Sequence, residues 1–124
     1  MTDFKALQGK HLTRVVNKDN EEILFFCEDG SSFKLYHDQD CCESVTVEEI
    51  VGDLADLTGL VVEAEEVSGY VGPERKDADS YTWTFYKLGT TNGSVTIRWY
   101  GESNGYYSES VTFTQLRGPV RTAP

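Results

Sequence analysis

Apolar and β-branched residues form three short runs near the start of the chain. The runs cover residues 11–16, 21–28 and 31–37, and two polar separators, NKDN and EDGS, lie between them. The second separator contains Asp29-Gly30, a strong signal for a tight hairpin turn. Short runs bounded by turn residues are typical of strands, so the pattern predicts three antiparallel strands.

The spacing of apolar residues changes in SVTVEEIVGDLADLTG, residues 44–59. Five apolar positions have helical spacing and share one face of a helix: Val47, Ile50, Val51, Leu54 and Leu57. Thr46 and Glu49 have the spacing of a capping box, and Gly59 is a typical helix stop. The pattern predicts one helix, at about residues 47–58.

The second half of the chain returns to the pattern of strands. Residues 60–68 are rich in valine, and residues 69–80 combine glycine, proline and mixed charge, which is typical of a surface loop. Three alternating segments follow, at 81–90, 93–101 and 106–115, joined by Asn92-Gly93 and Asn104-Gly105. Asn-Gly between alternating segments is a strong hairpin signal, so we expect a three-stranded meander.

The predicted meander carries aromatic residues on both faces. A two-residue turn at Asn92-Gly93 sets Leu88 opposite Ile97 and Tyr86 opposite Trp99, and leaves Trp83, Phe85, Arg98 and Tyr100 on the other face. The Asn104-Gly105 turn leaves two registers open. A two-residue turn places Val111 and Phe113 on the Arg98 face, whereas a longer or bulged loop returns them to the Trp99 face. A sheet that is apolar on two faces needs two covers, so we expect a homodimer or a higher oligomer.

These elements predict an α+β fold in which an antiparallel sheet of about six strands packs on one helix. The length of 124 residues suits one ordinary domain, and we expect it to cover residues 1–116. Residues 117–124 lack periodicity and contain two of the three prolines, so we expect a disordered tail.

The negative charge of the chain makes some classes of binding partner less favourable than others. The formal net charge of −10 is unfavourable for electrostatic capture of DNA, RNA or an anionic membrane. The acidity either keeps the protein soluble or imitates a nucleic-acid backbone to a basic partner. No run approaches the roughly 18 apolar residues that span a bilayer, and MTDFKALQGK lacks the apolar stretch of a signal peptide. We therefore expect a cytoplasmic protein.

The chain has three cysteines, Cys27, Cys41 and Cys42. The adjacent pair is poorly suited to bridging to itself, because disulfides favour Cα atoms about 5.5 Å apart. Reduced thiols are the expectation for a cytosolic protein.

The segment RWYGESNGYYSE, residues 98–109, is the candidate ligand site. Tyrosine offers a stacking face, arginine a fork of donors for phosphate, and asparagine an amide for a base edge, which together predict a nucleotide-like ligand. The candidate residues are Arg98, Tyr100, Asn104, Tyr106, Tyr107, Ser108 and Glu109, with His37, Gln39 and Asp40 from an earlier loop. Two alternatives stay open: a turn in which Arg98 pairs with Glu102 or Glu109, and a tyrosine-rich protein contact.

The segment YHDQDCCES, residues 36–44, clusters a histidine, two thiols and three carboxylates. All three groups ligate metals, but the spacing is not that of a zinc finger or ribbon, so we expect no metal and no cofactor. A thiol-base arrangement of His37 with Asp38 or Asp40 and a cysteine is also open. No nucleophile-elbow, phosphate-loop or metalloprotease motif occurs, which weighs against an enzyme.

Two long blocks carry a resemblance to known proteins. YHDQDCCESVTVEEIVGDLADLTG, and AEEVS with WTFYKLGTTNGSVTIRWYGESNGYYSESV, resemble a family of small proteins of unknown function from tailed phages and prophages, over roughly residues 22–113. The resemblance assigns no residue a role. It implies a bacterial cytosol during infection, where many small phage proteins neutralise host factors or sequester nucleotide immune signals.

The leading hypothesis is a phage-encoded, non-enzymatic protein that sequesters a small nucleotide-derived immune signal. The alternative is an acidic inhibitor that mimics nucleic acid and blocks a host nuclease or DNA-binding enzyme. A nucleotide-degrading enzyme that uses His37 or Asp40 is a second alternative. The first ranks narrowly ahead because the acidic residues are scattered along the chain rather than ordered on one element.

Overall fold

A computed structural model describes residues 2–69, 80–105 and 107–116. The strands are β1 (His11–Lys18), β2 (Glu22–Cys27), β3 (Ser32–Tyr36), β4 (Ser44–Val51), β5 (Gly59–Gly69), β6 (Ser80–Thr90), β7 (Ser94–Ser103) and β8 (Thr112–Leu116). They form one antiparallel sheet in the order β4-β7-β6-β5-β1-β2-β3-β8. Two short 3-10 turns, Phe4–Leu7 and Leu54–Asp56, complete the described elements.

The sheet bends at β5 so that its two halves face each other. β5 pairs with β1 only at its first two residues, and from Val61 onward it pairs with β6. The ring of Phe4 lies between the halves, with its centroid 4.8 Å from that of Tyr86 on β6 and 5.2 Å from that of Phe113 on β8. These rings are almost fully buried, so the space between the halves is the hydrophobic core.

The predicted helix at 47–58 is wrong, and with it the α+β class. Residues 44–51 form β4, and the described part of the chain contains only the two 3-10 turns as helical structure. None of these helical segments is long and apolar enough to cross a membrane.

A β-bulge explains why a strand at residues 44–51 has apolar residues at helical spacing. The pairing of β4 with β7 shifts register between Val47 and Glu49, which leaves Glu48 and Glu49 both exposed. The extra residue changes the spacing of apolar side chains from two to three, and a spacing of three imitates a helix. The β-branched content of SVTVEEIV favoured the strand.

The sheet has eight strands rather than about six, and the expected three-stranded meander is only partly present. β6 and β7 pair around Asn92-Gly93, but β8 crosses to the far edge of the sheet and pairs with β3. Both candidate registers at Asn104-Gly105 therefore fail, because each assumed that β8 pairs with β7. Local turn chemistry predicted the end of β7 correctly but not the destination of the next strand.

The β6–β7 register differs from the expected one by two residues. Leu88 faces Val95 and Tyr86 faces Ile97, because the turn is centred on Thr91 and Asn92, one residue earlier than expected, and the Thr90 N–H donates to the Gly93 carbonyl at 2.7 Å. A shift of two keeps every side chain on its face. Trp83, Phe85, Arg98 and Tyr100 therefore share the outer face, as predicted, and the opposite face lies in the core.

The outer face is partly covered by its own side chains. Trp83 is fully buried, and it packs against Tyr100, at a ring distance of 4.7 Å, and against the guanidinium of Arg98. The argument for a second subunit is weaker as a result, and the oligomer stays a prediction. The expected loop at 69–80 and tail at 117–124 lie almost wholly or wholly outside the described residues.

Gly101 on β7 has no room for a larger residue. A Cβ atom there would lie 2.8 Å from the Glu109 carbonyl oxygen and 3.1 Å from Val45. We expect Gly101→Ala to reduce the free energy of unfolding by about 1–3 kcal/mol, because the backbone of the β7–β8 connection has to move. Urea denaturation followed by circular dichroism measures this.

The matched control is Gly89→Ala on the neighbouring strand. A Cβ atom at Gly89 would lie 3.4 Å from the nearest heavy atom, which is ordinary contact. We expect little change in stability. Equal destabilisation by the two variants would contradict the packing of the Glu109 backbone on Gly101.

Candidate functional site

The loop between β3 and β4 is built around a buried ion pair. His37 Nε2 lies 2.8 Å from Glu43 Oε2, and the two side chains are only 4% and 0% exposed. The described residues of the loop itself, 38–42, are exposed. The pair therefore holds an otherwise open loop against the body of the protein.

The Glu43 carboxylate accepts hydrogen bonds from several loop donors. The backbone N–H of Asp40 donates to one oxygen at 3.0 Å, and the N–H of Cys41 and the amide of Gln39 donate to the other at 2.8 and 3.2 Å. Burial by itself would raise the pKa of Glu43, but the donors from Cys41, His37 and Asp40 outweigh it and lower the pKa to about 2. Glu43 is therefore a buried carboxylate at neutral pH.

His37 connects this loop to the segment that precedes β8. Its Nδ1 lies 2.7 Å from the carbonyl oxygen of Ser110, while its Nε2 faces Glu43. Both partners are acceptors, and a neutral imidazole has only one N–H. The ring thus bridges the Glu43 carboxylate and the backbone that precedes β8.

Two shallow cavities lie on either side of the pair. One, of about 400 Å³, is bounded by the β1–β2 turn, the end of β3 and the start of β4, and its lining includes Glu21, Glu22 and Tyr36. The other, of about 420 Å³, lies between the loop and the segment before β8. Its lining includes His37, Asp38, Gln39, Asp40, Ser108 and Ser110. The volumes suit a small molecule, but both linings carry carboxylates.

The second cavity brings together four of the predicted ligand residues, His37, Gln39, Asp40 and Ser108. Two of them already have partners within the protein. Both nitrogens of His37 are engaged, and the Gln39 amide donates to the Glu43 carbonyl at 2.7 Å. These two side chains shape the cavity wall rather than offer free donors to it.

Arg98 and Tyr100 lie elsewhere, on the outer face of β7. Arg98 forms an ion pair with Glu49 on β4 at 2.7 Å, and the Tyr100 hydroxyl donates to Glu102 at 2.9 Å. From the sequence, the alternative was that Arg98 pairs with Glu102 or Glu109. The partner is Glu49 on β4, a residue that the sequence had assigned to the predicted helix. Neither Arg98 nor Tyr100 lines the cavity that holds His37 and Gln39.

The rest of the predicted set lies in the β7–β8 connection. Glu109 packs against Gly101 on the core side of β7 and accepts hydrogen bonds from Thr82 at 2.8 Å and Ser103 at 2.6 Å. Asn104 is exposed and Tyr107 is half-buried. Tyr106 lies outside the described residues.

The thiols of the loop differ from expectation. Cys41 and Cys42 form a disulfide, with Cα atoms 3.7 Å apart, rather than two reduced thiols. The general preference for wider Cα spacing did not apply, because adjacent cysteines can close a ring through their shared peptide. Within the described residues, no three side chains converge as a candidate metal site.

The roles of Glu43 and Ser110 were not predicted. Glu43 was counted among the loop acids, and Ser110 lies 73 residues from His37. The signal for Glu43 was local, since a carboxylate six residues after a histidine can meet it across a tight loop. Ser110 left no such signal, because its contact depends on where β8 lies.

Acid should weaken the fold through Glu43. Its folded pKa of about 2 lies below the ordinary value of 4.5, so its stabilising contribution is complete above pH 4.5 and is lost as the pH falls towards 2. We expect Glu43→Gln to lower the urea midpoint at pH 7 and to flatten the decline in stability between pH 4.5 and 2. Urea titrations at a series of pH values measure both effects.

Asp38→Asn is the matched control, because Asp38 is an exposed carboxylate of the same loop. It should keep the pH dependence of the natural protein. If Glu43→Gln declines with acid as steeply as the natural protein, Glu43 is not the group that titrates.

Comparison with known proteins gives a family and no close characterised relative. Residues 5–113 match the model of a family described as a domain of unknown function, DUF7448. No curated protein and no solved structure matches the chain significantly.

Proposed function

The chain belongs to the DUF7448 family, and from that starting point we propose that it is a binding protein that presents an acidic surface to a basic partner. The setting that we propose is the bacterial cytosol during phage infection, as the resemblance to phage proteins implies. The partner class is a host nuclease or DNA-binding enzyme, whose basic groove is built to receive phosphates.

The observation that carries this proposal is the uneven distribution of charge. No lysine or arginine occurs between Lys34 and Arg75. Ten acidic residues occur in positions 37–69: Asp38, Asp40, Glu43, Glu48, Glu49, Asp53, Asp56, Glu63, Glu65 and Glu66. All of them except Glu43 are exposed. Ten of the 21 acidic residues therefore lie in one stretch that contains no lysine or arginine.

The fold places five of these acids on strands in one half of the sheet. β4 and β5 carry them and flank β7 and β6. The described basic residues of these four strands are Lys87, opposite Glu65, and Arg98, which Glu49 already neutralises. A basic surface that approaches this half meets uncompensated negative charge, which speeds association and favours binding.

The positions of these carboxylates make a nucleotide ligand less favourable than the sequence alone indicated. Asp38 and Asp40 line the cavity that brings together four of the predicted ligand residues, and carboxylates repel phosphate. Arg98, the proposed phosphate ligand, has a carboxylate partner and lies on the outer face of the sheet. Acidic mimicry uses these carboxylates, whereas a nucleotide would have to overcome them.

Binding to a basic partner should weaken with salt. We expect a tagged form of the protein to retain a nucleic-acid-binding protein from bacterial lysate at low ionic strength and to release it as salt is raised. Duplex DNA should compete with the tagged protein for the purified partner. A complex that is indifferent to salt and to DNA would contradict the proposal.

Two charge-matched double variants separate a local surface from net charge. Glu63→Gln with Glu65→Gln alters exposed positions of β5, and Glu21→Gln with Glu28→Gln alters exposed positions of the other half. We expect the first to weaken binding roughly tenfold, or ~1.4 kcal/mol, and the second to have little effect. Equal losses would mean that only total charge matters.

A nucleotide sponge remains the second candidate, because the cavity of about 420 Å³ brings together His37, Gln39, Asp40 and Ser108. Native mass spectrometry of protein from cells with active nucleotide signalling tests it. An intact nucleotide that is released by heat would support the sponge. If Arg98→Ala left nucleotide binding unchanged, the role assigned to Arg98 would be wrong.

A further inference from the structure

A third cavity, of about 450 Å³, opens between the two halves of the sheet. Phe4, Val111 and Phe113 form its apolar floor, and they are 3%, 8% and 3% exposed. Its polar wall comes from the opposite half, from Ser68 on β5 and Thr84 on β6. Thr2, Asp3, Glu66 and Ser110 complete the lining, so the cleft combines an apolar floor with polar groups around it, which suits a small amphipathic molecule.

The charges in this cleft have one sign. Glu66 and Asp3 are the charged residues among its described lining, and both are acids. Asp3 caps the first 3-10 turn through one oxygen, which accepts the backbone N–H of Lys5 at 3.0 Å. No basic side chain is found among the described residues that line the cleft, so no lysine, arginine or histidine of this lining compensates the charges of Asp3 and Glu66.

Glu66 is held in place by the core. The hydroxyl of Tyr86, a fully buried residue, donates a hydrogen bond to Glu66 Oε1. Burial, followed by this hydrogen bond and the charge of Glu66, raises the pKa of Tyr86 far above its usual range, so the phenol stays a neutral donor. No hydrogen bond joins the second oxygen, Oε2, to another described residue, and it is available to a ligand.

We infer that this cleft binds a small organic ammonium ion with an apolar body. The ammonium group would donate to the available oxygen of Glu66 and to the hydroxyl of Ser68 or Thr84, whose oxygens lie 3.4 Å apart. The apolar body would cover Phe4, Val111 and Phe113. An anionic ligand would meet two carboxylates, and a neutral one would leave the charge of Glu66 uncompensated.

The shape of the cleft sets the size of the ligand. A cavity of about 450 Å³ lies near the lower end of the range for small-molecule sites, so it accepts one aromatic ring or a short alkyl chain with its amine. Phenethylammonium fits this description and has a neutral counterpart of nearly the same shape, 2-phenylethanol. The pair isolates the contribution of charge.

The test is a titration of the whole protein with each probe at physiological ionic strength, followed by amide chemical shifts. We expect phenethylammonium to bind at least tenfold more tightly than 2-phenylethanol. The shifts should cluster at Ser68, Thr84 and Val111, which line the cleft from both halves. Absence of binding, equal affinities, or shifts that cluster on another surface would each overturn the inference.

Glu66→Gln and Glu65→Gln form a matched pair of variants. They remove the same charge from adjacent positions of β5, but only Glu66 lines the cleft. Glutamine can still accept the Tyr86 hydrogen bond, so Glu66→Gln should keep the fold, which the melting temperature checks. We expect it to reduce the preference for the ammonium probe to less than twofold and Glu65→Gln to leave that preference unchanged. Equal effects would mean that the cation responds only to overall charge.

Should Glu66→Gln fail to fold, the shift map of the natural protein still decides the matter. Tyr86→Phe offers a second variant, because it removes the hydroxyl that donates to Glu66 but retains the Glu66 carboxylate. We expect it to keep the preference for the ammonium probe. Loss of the preference in Tyr86→Phe, with the fold intact, would contradict the inference that the Glu66 carboxylate selects the ammonium ion.

Discussion

The packing of Phe4 between Tyr86 and Phe113 is the contact on which the rest of the structure depends. An eight-stranded antiparallel sheet buries its apolar face only if something covers it, and here each half of the sheet covers the other. β5 makes this possible because it leaves β1 after two residue pairs and continues along β6. Phe4 then fills the space between the halves from outside the strands.

The sequence predicted local structure well and long-range structure poorly. The first three strands and the β6–β7 hairpin follow from turn residues and alternation, which are local properties. The bulge at Val47 and Glu49 disguised β4 as a helix, because one extra residue changes a period of two into an interval of three. The position of β8 beside β3 could not be predicted, since nothing near Asn104-Gly105 encodes a partner some 80 residues earlier.

The same division applies to the candidate site. Composition singled out residues 36–44 and 98–109, and the structure brings His37, Gln39, Asp40 and Ser108 together at one cavity. What composition could not show is that Arg98 does not line this cavity and that Glu49 already pairs with it. A side chain whose chemistry suits a ligand can instead be paired within the protein, and only the fold distinguishes the two cases. The uneven distribution of charge, together with the carboxylate partner of Arg98, favours acidic mimicry over a nucleotide sponge.

The position of β8 at the edge of the sheet also affects how the chain folds while it is being synthesised. β3 pairs with a strand that starts at Thr112, and the imidazole of His37 donates to the carbonyl of Ser110. While the ribosome is still adding the residues in between, the nascent chain has an open edge at β3 and a buried ion pair without its third partner. β3 therefore keeps an unpaired edge until residues 112–116 have emerged, and such long-range pairing makes for slow folding. During that interval the negative charge of the growing chain opposes edge-to-edge pairing with its neighbours.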